Sequence, residues 1–249
     1  MTQKPLVLAI DTSSRIGSVA IALGEKILAE TTFSAPIRHS AEIFPAICEL
    51  LDRLSQKPDQ IEQVHISIGP GSFTGLRIAV TIAKIMHLAN ATKIVTVDTL
   101  DVIAANLINP TKEQTSPLLS YESRITSHER LATILDAKRG QFFIAVYEYN
   151  TSDGTFKKLL QDSLMTTSQF LDQFARSEKS IWLLGDGLLY FQDKFKADTV
   201  RFLDKKYWSP QASKVHQLGW KKALANQYTD PLTLIPNYLL RPDIKIKLK

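Results

Sequence analysis

Residues 6–33 read LVLAIDTSSRIGSVAIALGEKILAETTF. Aliphatic and β-branched residues fill Leu6–Thr12, Gly17–Leu23 and Lys26–Phe33, and the breaks between them, Ser13-Ser14-Arg15-Ile16 and Gly24-Glu25, are short turns. Connections this short join antiparallel neighbours, so the chain opens on a three-stranded meander. A doubly wound sheet alternates strand and helix from its start, so three leading strands predict a mixed sheet instead.

Working outward, a helix is predicted from His39-Ser40, with Ser40 as cap and Ile43, Phe44, Ile47, Leu50, Leu51 and Leu54 at helical spacing. Pro45 falls early enough in it to be tolerated. A strand at Val64–Ile68, a glycine-rich loop, a helix from about Leu76 to Ala89, a strand at Ile94–Val97 and a helix from about Leu100 to Leu107 follow. This is the order of a ribonuclease H-like lobe, and it occupies 1–108. Residues 109–129, rich in Ser, Thr, Pro and charge without periodicity, read as a loop or insertion. A second, smaller lobe over 130–210 opens with a hairpin, Leu131–Ala137 and Gln141–Tyr149 around Lys138-Arg139-Gly140. Gly154 marks a turn before a strand at Lys157–Leu164, and a helix at Ser168–Ala175 and a strand at Ile181–Leu184 come later. The remaining 211–249 hold a helix from about Gln211 to Ala225, free to pack back on the first lobe, and a basic tail. The fold class is α/β, in two lobes with mixed sheets, and no short repeat period indicates a solenoid or propeller.

The 249 residues are 44% hydrophobic, enough for a substantial core. Cys48 is the single cysteine and cannot form an intrachain disulfide, and no charged-then-apolar leader opens the chain, so a cytoplasmic location is expected. No run approaches the roughly 18 to 20 apolar residues of a membrane span. The net charge of +5 is uneven: residues 1–100 carry nine basic and nine acidic side chains, whereas Arg241, Lys245, Lys247 and Lys249 face only Asp243 at the end. That tail reads either as a solvated terminus or as a contact for RNA phosphates, and no interleaved aromatic residue supports base stacking.

Gly69-Pro70-Gly71-Ser72-Phe73-Thr74-Gly75 lies between a buried strand and a helix. Gly69, Gly71, Ser72, Thr74 and Gly75 form a candidate phosphate or nucleotide loop, because small residues let backbone N–H groups converge at a helix N-terminus. A tight turn whose glycines supply positive φ and close packing is the competing reading. A Walker loop would end in Gly-Lys-Ser/Thr, but Leu76 and Arg77 follow Gly75. A dinucleotide fingerprint spaces its last two glycines differently, although Asp98 sits near the position of a ribose-binding carboxylate. A nucleophile elbow fails because Pro70 and Thr74 flank Ser72, which reads as a helix cap. Asp11, closing the first strand, is a candidate for orienting a metal-bound phosphate or, alternatively, for bonding the backbone of Ser13 or Ser14. His39, His65, His87, His128 and His216 are scattered, with no pair one helical turn apart, so no metal site is expected.

Ile10-Asp11-Thr12-Ser13-Ser14, His39-Ser40 and above all Gly69 through Arg77 resemble the TsaB family. Asp136-Ala137-Lys138-Arg139-Gly140, Gly185-Asp186-Gly187 and Pro236-Asn237-Tyr238-Leu239 are similar to its later patterns, so the likeness spans nearly the whole chain. It implies an acetate kinase/Hsp70/actin-type fold and membership of the complex that transfers threonylcarbamoyl to tRNA adenosine next to the anticodon, beside the catalytic paralogue TsaD and the ATPase TsaE. TsaD carries a His-x-x-x-His metal pair on its first helix. Here Ile43 stands four residues after His39, so the pair is broken. The implied role is to bind and support TsaD through first-lobe helices, to form homodimers when alone and to reach tRNA through the complex. The chain itself then requires no cofactor, ATP or ADP entering with the complex, and has no independent activity.

The predicted second helix is apolar nearly all round, apart from Arg77, Thr81 and Lys84. One side faces the sheet. The other calls for a neighbouring helix or a partner chain, which makes Phe44, Ile47, Leu51, Ile78, Ile82 and Met86 the candidate interface. Two other functions compete. A stand-alone ATP-dependent phosphotransferase of the same superfold would use Asp11 and the glycine loop but lacks a placed base; a metallopeptidase lacks zinc ligands.

Overall fold

A computed structural model describes residues 4–33, 39–108, 130–150, 155–176 and 179–240, with backbone alone at 39–41 and 155. The predicted 109–129 insertion, the Gly154 turn, the tail from Arg241 and the side chains of His39 and Ser40 lie outside the described residues.

The first sheet holds β1 (Leu6–Asp11), β2 (Gly17–Leu23), β3 (Lys26–Phe33), β4 (Ile61–Gly69) and β5 (Lys93–Asp98) in the order β3-β2-β1-β4-β5. β1 pairs antiparallel with β2 and parallel with β4, so the meander and the crossovers share one mixed sheet. The period of two sorts its faces. Leu6, Leu8, Ile10, Val64 and Ile66 pack with Ile43, Ile47, Leu50 and Leu51 of α1 (His39–Arg53) and Ala79, Ile82 and Ala83 of α2 (Phe73–Asn90). On the opposite face Ala9, Ala20 and Val97 meet Val102, Ala212 and Val215. Small strand residues there let α5 (Ala212–Leu224) approach closely, and a Cβ at Gly219 would come within 2.6 Å of the His65 ring.

α2 starts three residues before the predicted Leu76, because Ser72 caps it: Ser72 Oγ accepts from the Gly75 N–H at 3.3 Å. It ends at Ala91 in the left-handed region, whose N–H donates to His87 O at 2.8 Å.

The second sheet repeats the plan with β6 (Arg130–Lys138), β7 (Gln141–Asn150), β8 (Thr155–Thr166), β9 (Ile181–Leu184) and β10 (Val200–Phe202), ordered β10-β9-β6-β7-β8. β6 is antiparallel to β7, β7 to β8, and β6 is parallel to β9 and β9 to β10. Its core is aromatic, with Phe142, Phe170 and Phe195 fully buried. The predicted helix at Ser168–Ala175 is a short α4 (Thr167–Phe170) continued by the wider turn Leu171–Ala175, and β10 was not foreseen in the sequence.

α3 (Thr99–Ala105) is wedged between the lobes. Leu100, Ile103 and Ala104 belong to the second-lobe cluster, while Val102 packs with Ala9 of the first sheet and Val215 of α5. A helix apolar on nearly all sides is buried on nearly all sides. Asp101 ties it further: the Tyr147 hydroxyl donates to Asp101 Oδ1 at 2.7 Å, and Lys158 Nζ lies 2.7 Å from the same oxygen and 2.5 Å from Asp162 Oδ1. Burial pushes the Tyr147 hydroxyl well up, with the Asp101 charge adding to it. Burial pulls the Lys158 ammonium down, but Asp101 and Asp162 outweigh it and leave the group raised. The whole is the two-lobe, actin-like α/β fold.

Candidate functional site

A cleft of about 600 Å³ separates the lobes where β1, β4, β6 and β9 end. Two turns form its floor. In the first lobe Asp11 is fully buried; its Oδ1 accepts from the Ser13 backbone N–H and from Ser13 Oγ, both at 3.0 Å. Its Oδ2 accepts from Ser13 Oγ at 3.0 Å and from the Ser67 hydroxyl of β4. A buried carboxylate needs such partners, and here neighbours in the fold already supply them. In the second lobe Asp136 Oδ1 accepts from the Lys138 N–H, and Lys138 Nζ bonds Oδ2, both at 2.7 Å. An aspartate that accepts the N–H two residues on thus stands at the end of β1 and near the end of β6, although Lys138 and Arg139 have positive φ and the turn after Asp11 has no such residue.

Above each turn sits a glycine loop. A Cβ at Gly75 would stand 1.8 Å from Thr12 O, one at Gly71 2.4 Å from Ser13 O, and one at Gly185 2.1 Å from Ile134 O. These are backbone atoms that cannot step aside, so close packing accounts for Gly71 and Gly75, and for Gly185 together with its φ of +125°. The first loop's donors are also already engaged: Ser72 N–H donates to Ser13 O of the β1 turn at 2.7 Å and Leu76 N–H to Ser72 O at 2.9 Å. The Thr12 hydroxyl donates to Gly75 O at 2.7 Å, which seats the loop on the end of β1. Of the sequence-derived loop residues, Gly71 and Ser72 line the cleft; Asp11, Gly69, Thr74 and Gly75 lie outside its lining.

The remaining walls come from residues to which the sequence assigned no role. Arg15, Lys138 and Arg139 bring cations, Asp136 and Asp186 carboxylates, and Phe73, Tyr190 and Tyr238 rings. Arg15 spans the mouth: its N–H donates to Asp186 Oδ2 at 3.4 Å and its Nη1 to the Tyr190 hydroxyl at 2.8 Å. Burial pushes the Asp186 carboxyl up to about 6, with Arg15 opposing and the Asp11 and Asp136 charges adding to the rise. Asp186 and Tyr238 stood in motifs that carried family likeness, which was the available signal; Arg15 and Tyr190 had none. Asp98 ends β5 and precedes α3, where burial and then the Asp101 charge raise it against Lys158 and Lys222. Among the described residues no group of three or more His, Cys, Asp or Glu is placed to hold a metal ion.

A second feature lies on the outer helices. Phe44 of α1 is 55% exposed, and Ile85 and Leu88 of α2 are 54% and 82% exposed. Ile78 and Met86 are half-buried beside them. Ile47, Leu51 and Ile82, also proposed for an interface from sequence, are buried in the lobe's own core. Their helical spacing aims them at the sheet, one turn apart from Ile43 and Ala79, which leaves them no surface for another chain. Ile85 and Leu88 carry the apolar surface instead.

Known proteins with this architecture share sequence with the chain. "tRNA threonylcarbamoyladenosine biosynthesis protein TsaB" of Bacillus subtilis (strain 168) is 25% identical, the match covering 97% of this chain and 96% of that protein. The protein of the same name from Buchnera aphidicola subsp. Schizaphis graminum is 26% identical over 84% of this chain and 90% of its own. The solved structure of YeaZ from Pseudomonas aeruginosa superposes with a TM-score of 0.74 at 20% identity, covering 94% of this chain and 100% of that one, which shows the fold in common. The sequence model of the family described as "TsaD: tRNA N6-adenosine threonylcarbamoyltransferase" matches residues 26–202. With more than half of its length under that model, this chain belongs to the TsaD-type tRNA N6-adenosine threonylcarbamoyltransferase family, and the relatives it matches end to end are TsaB proteins.

Proposed function

We propose that this chain is a non-catalytic subunit of the machinery that places threonylcarbamoyl on tRNA adenosine, binding and supporting the catalytic TsaD. The observation that carries the reading is the state of Asp11: the carboxylate that a phosphotransferase of this superfold would turn toward metal and phosphate is buried and held by Ser13 and Ser67. The likeness to TsaB proteins over nearly the full length supports the same conclusion. TsaD docks on the α1–α2 face, where Phe44, Ile85 and Leu88 are exposed. An apolar face of this kind loses water on association and gains most at its aromatic and branched residues. TsaE joins the larger assembly, tRNA is met through the complex, and in the absence of TsaD two copies pair through the same face in the cytoplasm.

The test is threonylcarbamoyl incorporation into tRNA by TsaD, TsaE and the enzyme that forms the activated carbamoyl donor, with and without this chain. Incorporation should depend on the chain while the chain alone turns over no ATP. Magnesium-dependent ATP turnover by the isolated chain, abolished in Asp11→Ala, would overturn the reading in favour of a phosphotransferase.

A further inference from the structure

The last described stretch, Leu234 to Leu240, has no regular secondary structure and crosses from one lobe to the other. Leu234 is buried in the first-lobe core among the residues of α1, α2 and the sheet, whereas Leu239 packs against the aromatic cluster of the second lobe. Between these two anchors, the Asn237 N–H donates to Ile68 O at 2.8 Å, which extends the end of β4 by one bond. Gly69 leaves the space for this: its φ is +120°, and a Cβ there would lie 2.7 Å from Asn237 O. Tyr238 then stacks on Phe73, ring centroids 5.0 Å apart and tilted by 34°. Arg77 completes the clamp, its guanidinium carbon 3.8 Å from the Phe73 ring centre and its Nε donating to the Tyr238 hydroxyl at 3.1 Å. Asn237, Tyr238, Leu239 and Leu240 all line the cleft.

We propose that Leu234–Leu240 is a strap that gates the interlobe cleft: seated, it forms one wall and holds the lobes together; released at Tyr238 and Leu239, it opens the cleft floor to solutes. The other ties between the lobes are the exposed hydrogen bonds of Arg15 to Asp186 and Tyr190 across the mouth and the buried α3. α3 is buried between both cores and joined by the Asp101 network, so it serves as a fixed spine. The strap is held at its middle by one backbone hydrogen bond, one tilted ring contact and one side-chain bond, and Ile235 within it and Leu232 before it are exposed. Segments with few buried contacts open locally before the cores do. The strap's clamp also explains the place of Phe73 and Arg77, which a phosphate-binding loop would not require.

The test uses the full chain with Cys48→Ser, because Cys48 is exposed. A reporter Ser14→Cys sits on the cleft lining, where the native serine is nearly buried. A second reporter, Ala83→Cys in a separate protein, lies fully buried in the first-lobe core and reads opening of that core. Each is alkylated with a bulky maleimide, with and without Tyr238→Ala or Leu239→Ser. Release of the strap should speed alkylation at position 14 by about tenfold, the factor that losing one ring stack and one hydrogen bond carries, and leave position 83 unchanged. Tyr238→Phe, which keeps the stack, should give a smaller rise. Unchanged rates at position 14, or equal acceleration at 14 and 83, would overturn the proposal; should Tyr238→Ala not fold, Leu239→Ser and Tyr238→Phe read the same quantity.

Discussion

The two lobes share one sheet plan and differ in nearly everything laid on it. β6, β7, β8, β9 and β10 repeat the order and the parallel or antiparallel sense of β1, β2, β3, β4 and β5, down to an aspartate near the end of β1 and of β6 that accepts the N–H two residues on. The first lobe covers its sheet with 15- and 18-residue helices and an aliphatic core; the second has the 4-residue α4, short turns and an aromatic core. Few large rings fill a thin layer that long helices would otherwise fill. The comparison separates scaffold from role: the sheet and its paired turns build the cleft, while the exposed apolar helices exist in the first lobe alone among the described residues.

Substitutions at the paired glycine loops test the equivalence of the lobes most severely. Gly75→Ala and Gly185→Ala each drive a Cβ into a backbone carbonyl, at 1.8 Å and 2.1 Å, and should each cost about 3 kcal/mol or more in urea unfolding. A large loss at one and a small loss at the other would break the symmetry. The difference in role is tested next. Ile85→Glu and Leu88→Glu should weaken TsaD binding by about tenfold or more in calorimetric titration while changing stability by no more than about 0.5 kcal/mol. Leu159→Glu, at an exposed position on β8 of the second lobe, should leave that binding unchanged.

Acid should act in opposite directions through buried His65 in the first lobe and through two buried aspartates of the second. His65 of β4 is stacked on His216 of α5, ring centres 5.3 Å apart; burial, then the His216 charge, pulls it down to about 3 from the ordinary 6.5. The unfolded chain therefore takes up the proton first, and stability falls as pH drops from 6.5 toward 3. Asp186 and Asp162 are held up at about 6 from 3.8, both chiefly by burial. The folded state keeps those protons longer, so their share of stability rises as pH falls through 6 and levels off below 3.8. In thermal melts across pH, His65→Gln should flatten the acid loss, and Asp186→Asn should be more stable than the parent above pH 6, the advantage vanishing near pH 4. The smallest effect belongs to Gly140 at the β6–β7 hairpin tip, where φ is +76° but nothing lies within 4 Å of a built Cβ. Gly140→Ala should cost about 1 kcal/mol, from backbone conformation alone.

Much of the fold was legible along the chain. The three leading strands, the strand at Ile181–Leu184 and the extent of α5 follow from period and turn residues, which are local properties. The helix expected at Ser168–Ala175 has that extent, but from Leu171 its turn widens into a π-helix where Phe170 and Phe174 enter the aromatic core. At the site, the glycine loop stood out by composition, but its two readings needed different partners and the sequence names none. Arg15 and Tyr190 were invisible because they are 175 positions apart and meet only across the cleft.

By itself, the sequence determined the order of elements, the mixed character of the first sheet and the likeness to a tRNA-modification family, because periodicity, turn chemistry and motif spacing act over a few residues. Tertiary structure alone decided which polar and apolar groups remain available. Asp11 is occupied by Ser67, 56 positions away; Gly69 makes room for Asn237; Ile82 is buried while Ile85, three residues on, meets solvent. Burial and partnership are properties of distant segments brought together, and a chain read in one dimension carries the residues but not their neighbours.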